Sequence, residues 1–226
     1  MTSLHLKRDL RSSWILTSGF LRRHKWAVAL SLILTGLFAA FVGFPNDPGW
    51  VRWLGAGKDK QIREIAHQIG ATGSLAQYNI VIVVALWLVG LARRSRYLQR
   101  LAAVTFMSTV IAGAFCNLLR FPIGRARPHT KESHLTFKGP QFQAKYHGFP
   151  SGHTSTAFGT AVPLLIAVPE VGVPATAFAA AMAWARVYDK QHYPTDVTVG
   201  AIIGIIAGIA GGWPMLRLRR RLQRGP

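Results

Sequence analysis

"WAVALSLILTGLFAAFVGF", residues 26–44, is an apolar stretch that contains no charged side chain. At about 1.5 Å per residue, a helix of this length crosses most of a hydrocarbon core roughly 30 Å thick. Its apolar residues are continuous and do not follow one helical face, which is typical of a membrane span. The stretch is too long for the apolar part of a signal peptide, and no small-residue cleavage site follows it. It therefore predicts a span that the protein retains.

Five further apolar blocks follow the first one along the chain. They cover residues 75–92, 101–119, 154–168, 171–188 and 197–216. The gap between the fourth and fifth blocks is so short that they must form a tight helical hairpin. The sequence predicts an all-α polytopic membrane protein with six transmembrane helices. It also predicts a single integral membrane domain over residues 1–226, with no soluble domain or internal repeat.

The net charge is strongly positive, with 27 Lys and Arg against 8 Asp and Glu. In a soluble protein such a charge would first indicate nucleic acid as a partner. Here the basic residues concentrate before the first span, in residues 93–100 and after the last span. With six spans these segments share one side, which the positive-inside rule makes cytoplasmic. We therefore expect no nucleic-acid partner and a multi-pass protein of the bacterial inner membrane, with both termini in the cytoplasm.

Residues 120–152, on the opposite side, are also basic and break the positive-inside pattern. They begin with "RFPIGRARP", in which Arg120, Arg125 and Arg127 follow a helix end. The guanidinium fork matches phosphate oxygens, so Arg residues clustered without acidic neighbours favour a bound anion. The alternative is interfacial anchoring by Arg side chains that extend to the head groups.

"PSGH", residues 150–153, opens the fourth apolar block. Pro150 can set the helix entry, Ser151 can cap the helix, and Gly152 allows a ligand close to the backbone. Free N–H groups at a helix start attract an anion, and His153 adds a proton carrier in the same turn. The alternative is an ordinary helix cap followed by an incidental histidine.

"ARVYDKQHYPTD", residues 185–196, joins the fifth and sixth blocks. Arg186 ends one span, while His192 and Asp196 stand one helical turn apart at the start of the next. An aspartate at this spacing can accept from one imidazole nitrogen and leave the other free as a nucleophile or base. The alternative is a His–Asp cap pair at a membrane surface.

The three stretches fall on one face and near one membrane depth. Ionisable groups gathered at span ends indicate a functional site. Together they predict a phosphate site with one nucleophile and one acid.

As a set, the stretches resemble the signature of the type 2 phosphatidic acid phosphatase superfamily, K-x6-RP, PSGH and SR-x5-H-x3-D. The match lies within residues 120–196, and the internal spacings agree. Two positions depart from the signature, because Arg120 stands at the usual Lys and Ala185 at the usual Ser. The resemblance implies a six-helix membrane phosphatase, and we expect the departures to alter rate or specificity without abolishing activity.

The resemblance also implies roles for the site residues. His192 attacks phosphorus to form a phosphohistidine, Asp196 orients it, and His153 protonates the leaving oxygen and then activates water. The phosphate-binding residues are then Arg120, Arg127, Arg186, Ser151 and Gly152. No cofactor is expected, since the neighbouring Arg residues would repel a divalent cation from the carboxylates.

The expected function is therefore metal-independent removal of phosphate from a membrane lipid. The candidate substrates are prenyl diphosphates, phosphatidate-type lipids and lipid A phosphates. One alternative is a phosphotransferase that passes the phosphoryl group to another lipid, and a second is a non-catalytic lipid-binding or transport protein. Beside the nucleophile, Asp189 and Lys190 are interpreted as a solvated loop pair, with recognition of a lipid head group as the alternative. Residues 45–74 are interpreted as an amphipathic lid.

Overall fold

Helices dominate the computed structural model, which describes residues 2–72 and 78–224. The α-helices within these residues are α1 (Thr2–Arg23), α2 (Lys25–Phe38), α3 (Phe44–Trp53), α4 (Lys60–Thr72), α5 (Ile80–Ala92), α6 (Arg96–Ile123), α7 (Gly152–Ala167), α8 (Pro169–Tyr188) and α9 (Pro194–Arg224). A π-helix, Ala39–Gly43, joins α2 to α3 without a break. The only β pairing in the described residues is an isolated bridge between Arg125 and Phe137. The all-α class is confirmed.

Among the described residues, three helical segments are long and apolar enough to cross a membrane. They are Lys25–Trp53, Arg96–Ile123 and Pro194–Arg221, and Ile80–Ala92 is a shorter apolar helix. The second predicted block, 75–92, begins at residues that lie outside the described part of the chain. α7 and α8 lie at the fourth and fifth blocks, and only Val168 separates them, so the predicted hairpin is confirmed.

Helix α9 lies close against α7 because glycine occupies the contact. A Cβ atom built at Gly200 or at Gly204 would collide with the carbonyl oxygen of Ser151 or of Ser155. Small residues let membrane helices approach in this way. At the same end the backbone N–H of Ser151 donates to the carbonyl of Asp196 over 2.9 Å. The start of α7 is therefore fixed beside the start of α9.

The segment between α6 and α7 is a folded loop. It begins at Gly124, which ends α6 in the left-handed conformation at φ 60°. Within the loop the N–H of Lys138 donates to the carbonyl of Gly124, and the N–H of Gly148 donates to that of Arg125. These bonds return residue 148 to the end of α6 and hold its carbonyl group beside the helix ends.

Two helices pack outside the central group. α1 lies against α6 and α9, and its buried Asp9 pairs with Arg96 over 3.2 Å. α4 lies against α8. The predicted lid of residues 45–74 is therefore wrong in its first part, because α3 continues the first span up to Trp53. Among the described residues of this segment, α4 is the separate helix that covers part of the bundle, and it lies against α8.

Candidate active site

The three sequence motifs meet at one end of the molecule. Arg120 lies at the end of α6, Ser151 precedes α7, Arg186 ends α8 and Asp196 lies in the first turn of α9. The charges of Arg120, Arg127 and Arg186 all act on His192 and on His153. The predicted site residues are thus gathered into one cluster.

His192 lies at the centre of this cluster and is fully buried. Its Nδ1 is 2.7 Å from the carbonyl oxygen of Gly148, which can only accept, so Nδ1 carries the proton. Its Nε2 has no hydrogen-bond partner among the described residues. Burial, with Arg127, Arg186 and then Arg120, holds the pKa of His192 well below its ordinary value of 6.5. The ring is therefore neutral, with a free lone pair on Nε2.

Asp196 was predicted to orient His192, but the nearest acceptor of that imidazole is Gly148. The Asp196 carboxylate is 3.6 Å from Nδ1 of His192. It accepts instead from the Arg125 guanidinium and from the N–H of Tyr193, the latter over 2.8 Å. A main-chain carbonyl leaves no signal in the sequence, and Gly148 was missed for that reason. The predicted His–Asp hydrogen bond is wrong, although the two groups are neighbours.

The contacts of Arg125 are those of a residue that stabilises the fold, and its side chain does not face the cluster. Its fully buried guanidinium pairs with Asp47 over 2.7 Å and with Asp196. It also donates to the carbonyl of His134 and lies 4.5 Å from the ring centre of Phe44. The prediction of an arginine cluster without acidic partners is therefore wrong for Arg125. Asp47 was missed because it belongs to the first span, far away along the chain.

The other three arginines of the motifs belong to the cluster and keep buried donors that have no partner among the described residues. Arg120 donates to the carbonyl of Pro150 over 3.1 Å, and Arg127 donates to Gln191 over 3.0 Å. The Nε atoms of Arg120, Arg127 and Arg186 are buried and lack partners among the described residues. Burial and the charges of Arg186 and Arg120 lower the pKa of Arg127 to about 10. Crowded cations with free donors suit a bound dianion.

The start of α7 departs in detail from the sequence prediction. Ser151 occupies the N-cap position, but its hydroxyl makes no hydrogen bond to the helix backbone and accepts from Thr154 over 3.0 Å. A Cβ at Gly152 would collide with Nη2 of Arg120. The space above the glycine is therefore taken by an arginine of the site.

His153 precedes the predicted fourth span by one residue and is partly buried. Burial, followed by the positive charge of Arg186 and then those of Arg120 and Arg127, lowers its pKa to about 3. Without an anion His153 is neutral. A bound phosphate dianion would offset the arginine charges and raise this pKa, so His153 would gain a proton only when an anion is bound.

A groove runs from the cluster along the contact between α6 and α7. Its volume is about 350 Å³, and Arg120, Gly152 and His153 lie at one end. Thr109 and Val110 lie at the other end, about three helical turns along α6. The groove therefore connects the reacting groups with the apolar middle of the helices.

The described residues contain no group of three or more His, Cys, Asp or Glu side chains placed to hold a metal ion. The carboxylate of Asp196 is already bound to Arg125. Metal-independent activity stays a prediction.

Comparison with known proteins assigns the family. The sequence profile of the PAP2 superfamily matches residues 101–219. The chain belongs to the PAP2 superfamily. It is 34% identical over 203 residues to "Lipid A 1-phosphatase" of Rhizobium etli, covering 83% of this chain and 77% of the relative. It is 25% identical over 157 residues to "Undecaprenyl-diphosphatase BcrC" of Bacillus subtilis, covering 66% of this chain and 78% of the relative.

A solved PAP2 structure shares the fold. It is the first transmembrane PAP2 type phosphatidylglycerolphosphate phosphatase from Bacillus subtilis, with a TM-score of 0.63 at 16% identity. The superposition covers 94% of this chain and 100% of that one. The family and these relatives make the protein a membrane-associated phosphatase, a hydrolase.

The second departure from the PAP2 signature has a local explanation. Ala185, at the usual Ser, is fully buried in a small cluster with Ala66 of α4 and Tyr188. On the same side of α4, a Cβ at Gly70 would approach Nη1 of Arg186 to 3.0 Å. In this PAP2 protein the α4 helix therefore packs directly over the arginine that a serine would precede in the signature.

The interpretation of Asp189 and Lys190 as a solvated pair is wrong for Asp189. Its side chain is buried, lies 3.0 Å from Nδ1 of His67 and 3.5 Å from Nε of Arg63, and both partners belong to α4. Lys190 lies against Gly57, where a Cβ would contact its side chain. These contacts attach α4 to the end of α8, next to the site.

Proposed function

We propose that the protein removes a phosphate group from a lipid head group through a phosphohistidine formed on His192. The observation that carries this proposal is the buried, neutral imidazole of His192, whose Nε2 has no partner among the described residues, in one cluster with three arginines whose buried Nε donors have none either. Phosphoryl transfer needs an aligned nucleophile and neutralisation of the phosphoryl oxygens, and little else from the protein.

In the first step Nε2 of His192 attacks phosphorus while the bond from phosphorus to the lipid oxygen breaks. Arg120, Arg127 and Arg186 neutralise the phosphoryl oxygens. His153 gives its proton to the leaving oxygen, so the lipid departs as an alcohol or, from a diphosphate, as a monophosphate. The arriving dianion raises the pKa of His153, because it offsets the positive charges that otherwise lower this pKa. His153 is therefore protonated when the substrate is bound.

In the second step water attacks the phosphohistidine. His153, now neutral, takes the proton of that water as a general base. The bond between Nε2 and phosphorus breaks and inorganic phosphate leaves. His192 is then again a neutral imidazole with a free lone pair on Nε2. The proton that His153 gave away in the first step is restored in the second, so the cycle needs no other reactant.

The proposed substrate is the phosphate of a lipid A-type head group. The supporting relative is the lipid A 1-phosphatase of Rhizobium etli, at 34% identity over most of both chains. The groove beside Arg120 and His153 supports a lipid, since it places an apolar path next to the reacting groups. Undecaprenyl diphosphate is the second candidate, because an undecaprenyl-diphosphatase is also related at 25% identity.

The proposed topology has six spans in the bacterial inner membrane, with the active site facing the periplasm. The basic ends of α1 and α9 and the start of α6 lie at the end of the bundle opposite His192, which supports cytoplasmic termini. An amphiphile could then present its head group to the site while its chains stay in the outer leaflet.

The test is phosphate release by the purified protein from a panel of lipid phosphates. The panel contains lipid A, undecaprenyl diphosphate, phosphatidate and a short soluble phosphomonoester. We expect lipid A to give the highest kcat/KM and the soluble ester the lowest, because the lipid part supplies binding energy. Release of inorganic phosphate distinguishes hydrolysis from transfer of the phosphoryl group to a second lipid. If no member of the panel releases phosphate, a binding or transport protein would be favoured. Highest activity on the soluble ester would contradict the proposal.

A further inference from the structure

A second basic cavity lies at the end of the bundle opposite the active site. Its volume is about 600 Å³, and it is an open hollow bordered by the end of α1, the start of α6 and the last turns of α9. The residues of its lining that bear on its chemistry are Arg23, His24, Arg100, Arg217, Arg221 and Trp213.

This cavity is separate from the phosphatase site. Arg100 lines the cavity, Arg120 lines the site, and both belong to α6. Their separation along the helix is about 30 Å, which is one hydrocarbon thickness. A ligand in the cavity therefore cannot touch the reacting groups, and the two sites lie at opposite bilayer surfaces.

The charges around the cavity are largely uncompensated. Arg23, Arg217 and Arg221 make no ion pair with any described residue. Arg100 lies 3.8 Å from Asp9, a carboxylate that it shares with Arg96. The arginines that line this hollow come from three helices, α1, α6 and α9, and such a group of cations suits an anion.

The walls of the cavity indicate that the anion is a lipid. Ile15 and Leu16 of α1 line it, and the guanidinium of Arg217 lies 5.7 Å from the Trp213 ring. A second hollow of about 270 Å³ shares Ile15, Leu16 and Arg100 and extends along the bundle to Val104. Tryptophan and arginine at a membrane interface, with a second hollow beneath that is lined mostly by apolar residues, match a head group and the first part of its chains.

We propose that this cavity binds an anionic phospholipid, with the phosphate among Arg23, Arg217 and Arg221 and an acyl chain toward Val104. The site is distinct from catalysis and does not depend on which lipid the phosphatase cleaves. It would attach α1 to the bundle, since α1 supplies one wall.

The test compares two double variants in a His192→Ala background, which prevents turnover of any added lipid. The first, Arg23→Gln with Arg221→Gln, removes two cations of the cavity. The matched control, Arg22→Gln with Arg220→Gln, removes two exposed cations from neighbouring positions of the same helices that do not line it. Native mass spectrometry of the delipidated protein in neutral detergent measures binding of phosphatidylglycerol and of phosphatidylcholine.

We expect one tightly bound phosphatidylglycerol, a clear preference over phosphatidylcholine, and binding on the order of tenfold weaker in the cavity variant only. An Arg127→Gln variant in the same background should bind as the parent does. Both double variants should keep the parent's unfolding temperature in neutral detergent. Equal losses in the two double variants, no preference for the anionic lipid, loss in the Arg127→Gln variant, or displacement by soluble glycerol phosphate would each overturn the proposal.

Discussion

Arg125 and Arg127 stand two residues apart in "RFPIGRARP" but should fail in opposite ways when they are replaced. Arg125 is fully buried between Asp47 and Asp196, whereas Arg127 belongs to the site cluster and its buried Nε has no partner among the described residues. The matched changes Arg125→Gln and Arg127→Gln each replace a positively charged guanidinium with a neutral amide. We expect the first to act on stability and the second on turnover.

The cost of Arg125→Gln follows from what the change leaves behind. Two buried carboxylates lose their common cation, and the carbonyl of His134 loses two donors. Breaking a buried ion pair by removing one partner typically costs about 3–5 kcal/mol. For a chain of this size that lowers Tm by about 10 °C, at roughly 2–4 °C per kcal/mol. Activity measured below the new Tm should fall less than in Arg127→Gln, since Arg125 does not face the phosphate.

The change Arg127→Gln removes a proposed donor to the phosphoryl oxygens and one of three mutually repelling cations. The loss of one preorganised donor of this kind lowers kcat by about 10²–10³-fold. Stability should stay the same or rise, because Arg186 and Arg120 already disfavour the charge on Arg127.

The assay is thermal unfolding in one detergent, followed by initial rates of phosphate release at a temperature where all three proteins are folded. The expected pattern is a low Tm with substantial turnover for Arg125→Gln and a native Tm with little turnover for Arg127→Gln. The reasoning is refuted if Arg125→Gln keeps the wild-type Tm, or if Arg127→Gln loses as much Tm as Arg125→Gln does.

Three further predictions concern the chemistry. His192→Ala should abolish turnover and any acid-labile phosphoenzyme, and full activity of this variant would contradict the assignment. His153→Ala should slow turnover about 10²–10⁴-fold, but it should still form the phosphoenzyme from a substrate with a good leaving group. The acid limb of kcat/KM should lie below pH 6.5, because the pKa of His192 is lowered and only the neutral ring attacks. Arg127→Gln removes a charge that lowers the pKa of His192, so the acid limb of kcat/KM for the same substrate should move to higher pH in this variant. An acid limb at the same pH as in the wild type would count against the electrostatic argument. Activity should survive a strong chelator and be inhibited by vanadate; loss on chelation with recovery on adding metal would show a required ion.

The apolar helices could be predicted because a membrane span is encoded continuously along the chain. The blocks 101–119 and 197–216 lie inside α6 and α9, and the hairpin of α7 and α8 followed from a short gap. The amphipathic helix α1 was not predicted, since its basic residues were read as a topology signal. Its place depends on the pairing of Asp9 with Arg96, a contact between distant segments that no local pattern contains.

The gathering of the site was predictable for a different reason. Each motif ends or begins a helix, so the order of the helices brings Arg120, His153 and His192 to one end. The pairing within the site was not predictable, because Asp47 reaches Arg125 from the first span and also accepts from the N–H and the hydroxyl of Thr195. Close approach of the two segments depends on Gly43, where a Cβ would collide with Thr195.

The contact of His192 with a carbonyl, and not with a carboxylate, suits the proposed cycle. A carboxylate bonded to Nδ1 would raise the pKa of His192 and favour the protonated ring, which has no lone pair to attack phosphorus. The Gly148 carbonyl fixes the same tautomer without adding a negative charge. Once Nε2 bonds to phosphorus the ring becomes positively charged, and Asp196 then lies 3.6 Å away with part of its charge taken by Arg125. Asp196 can thus stabilise the intermediate more than the resting enzyme, which lowers the barrier between them.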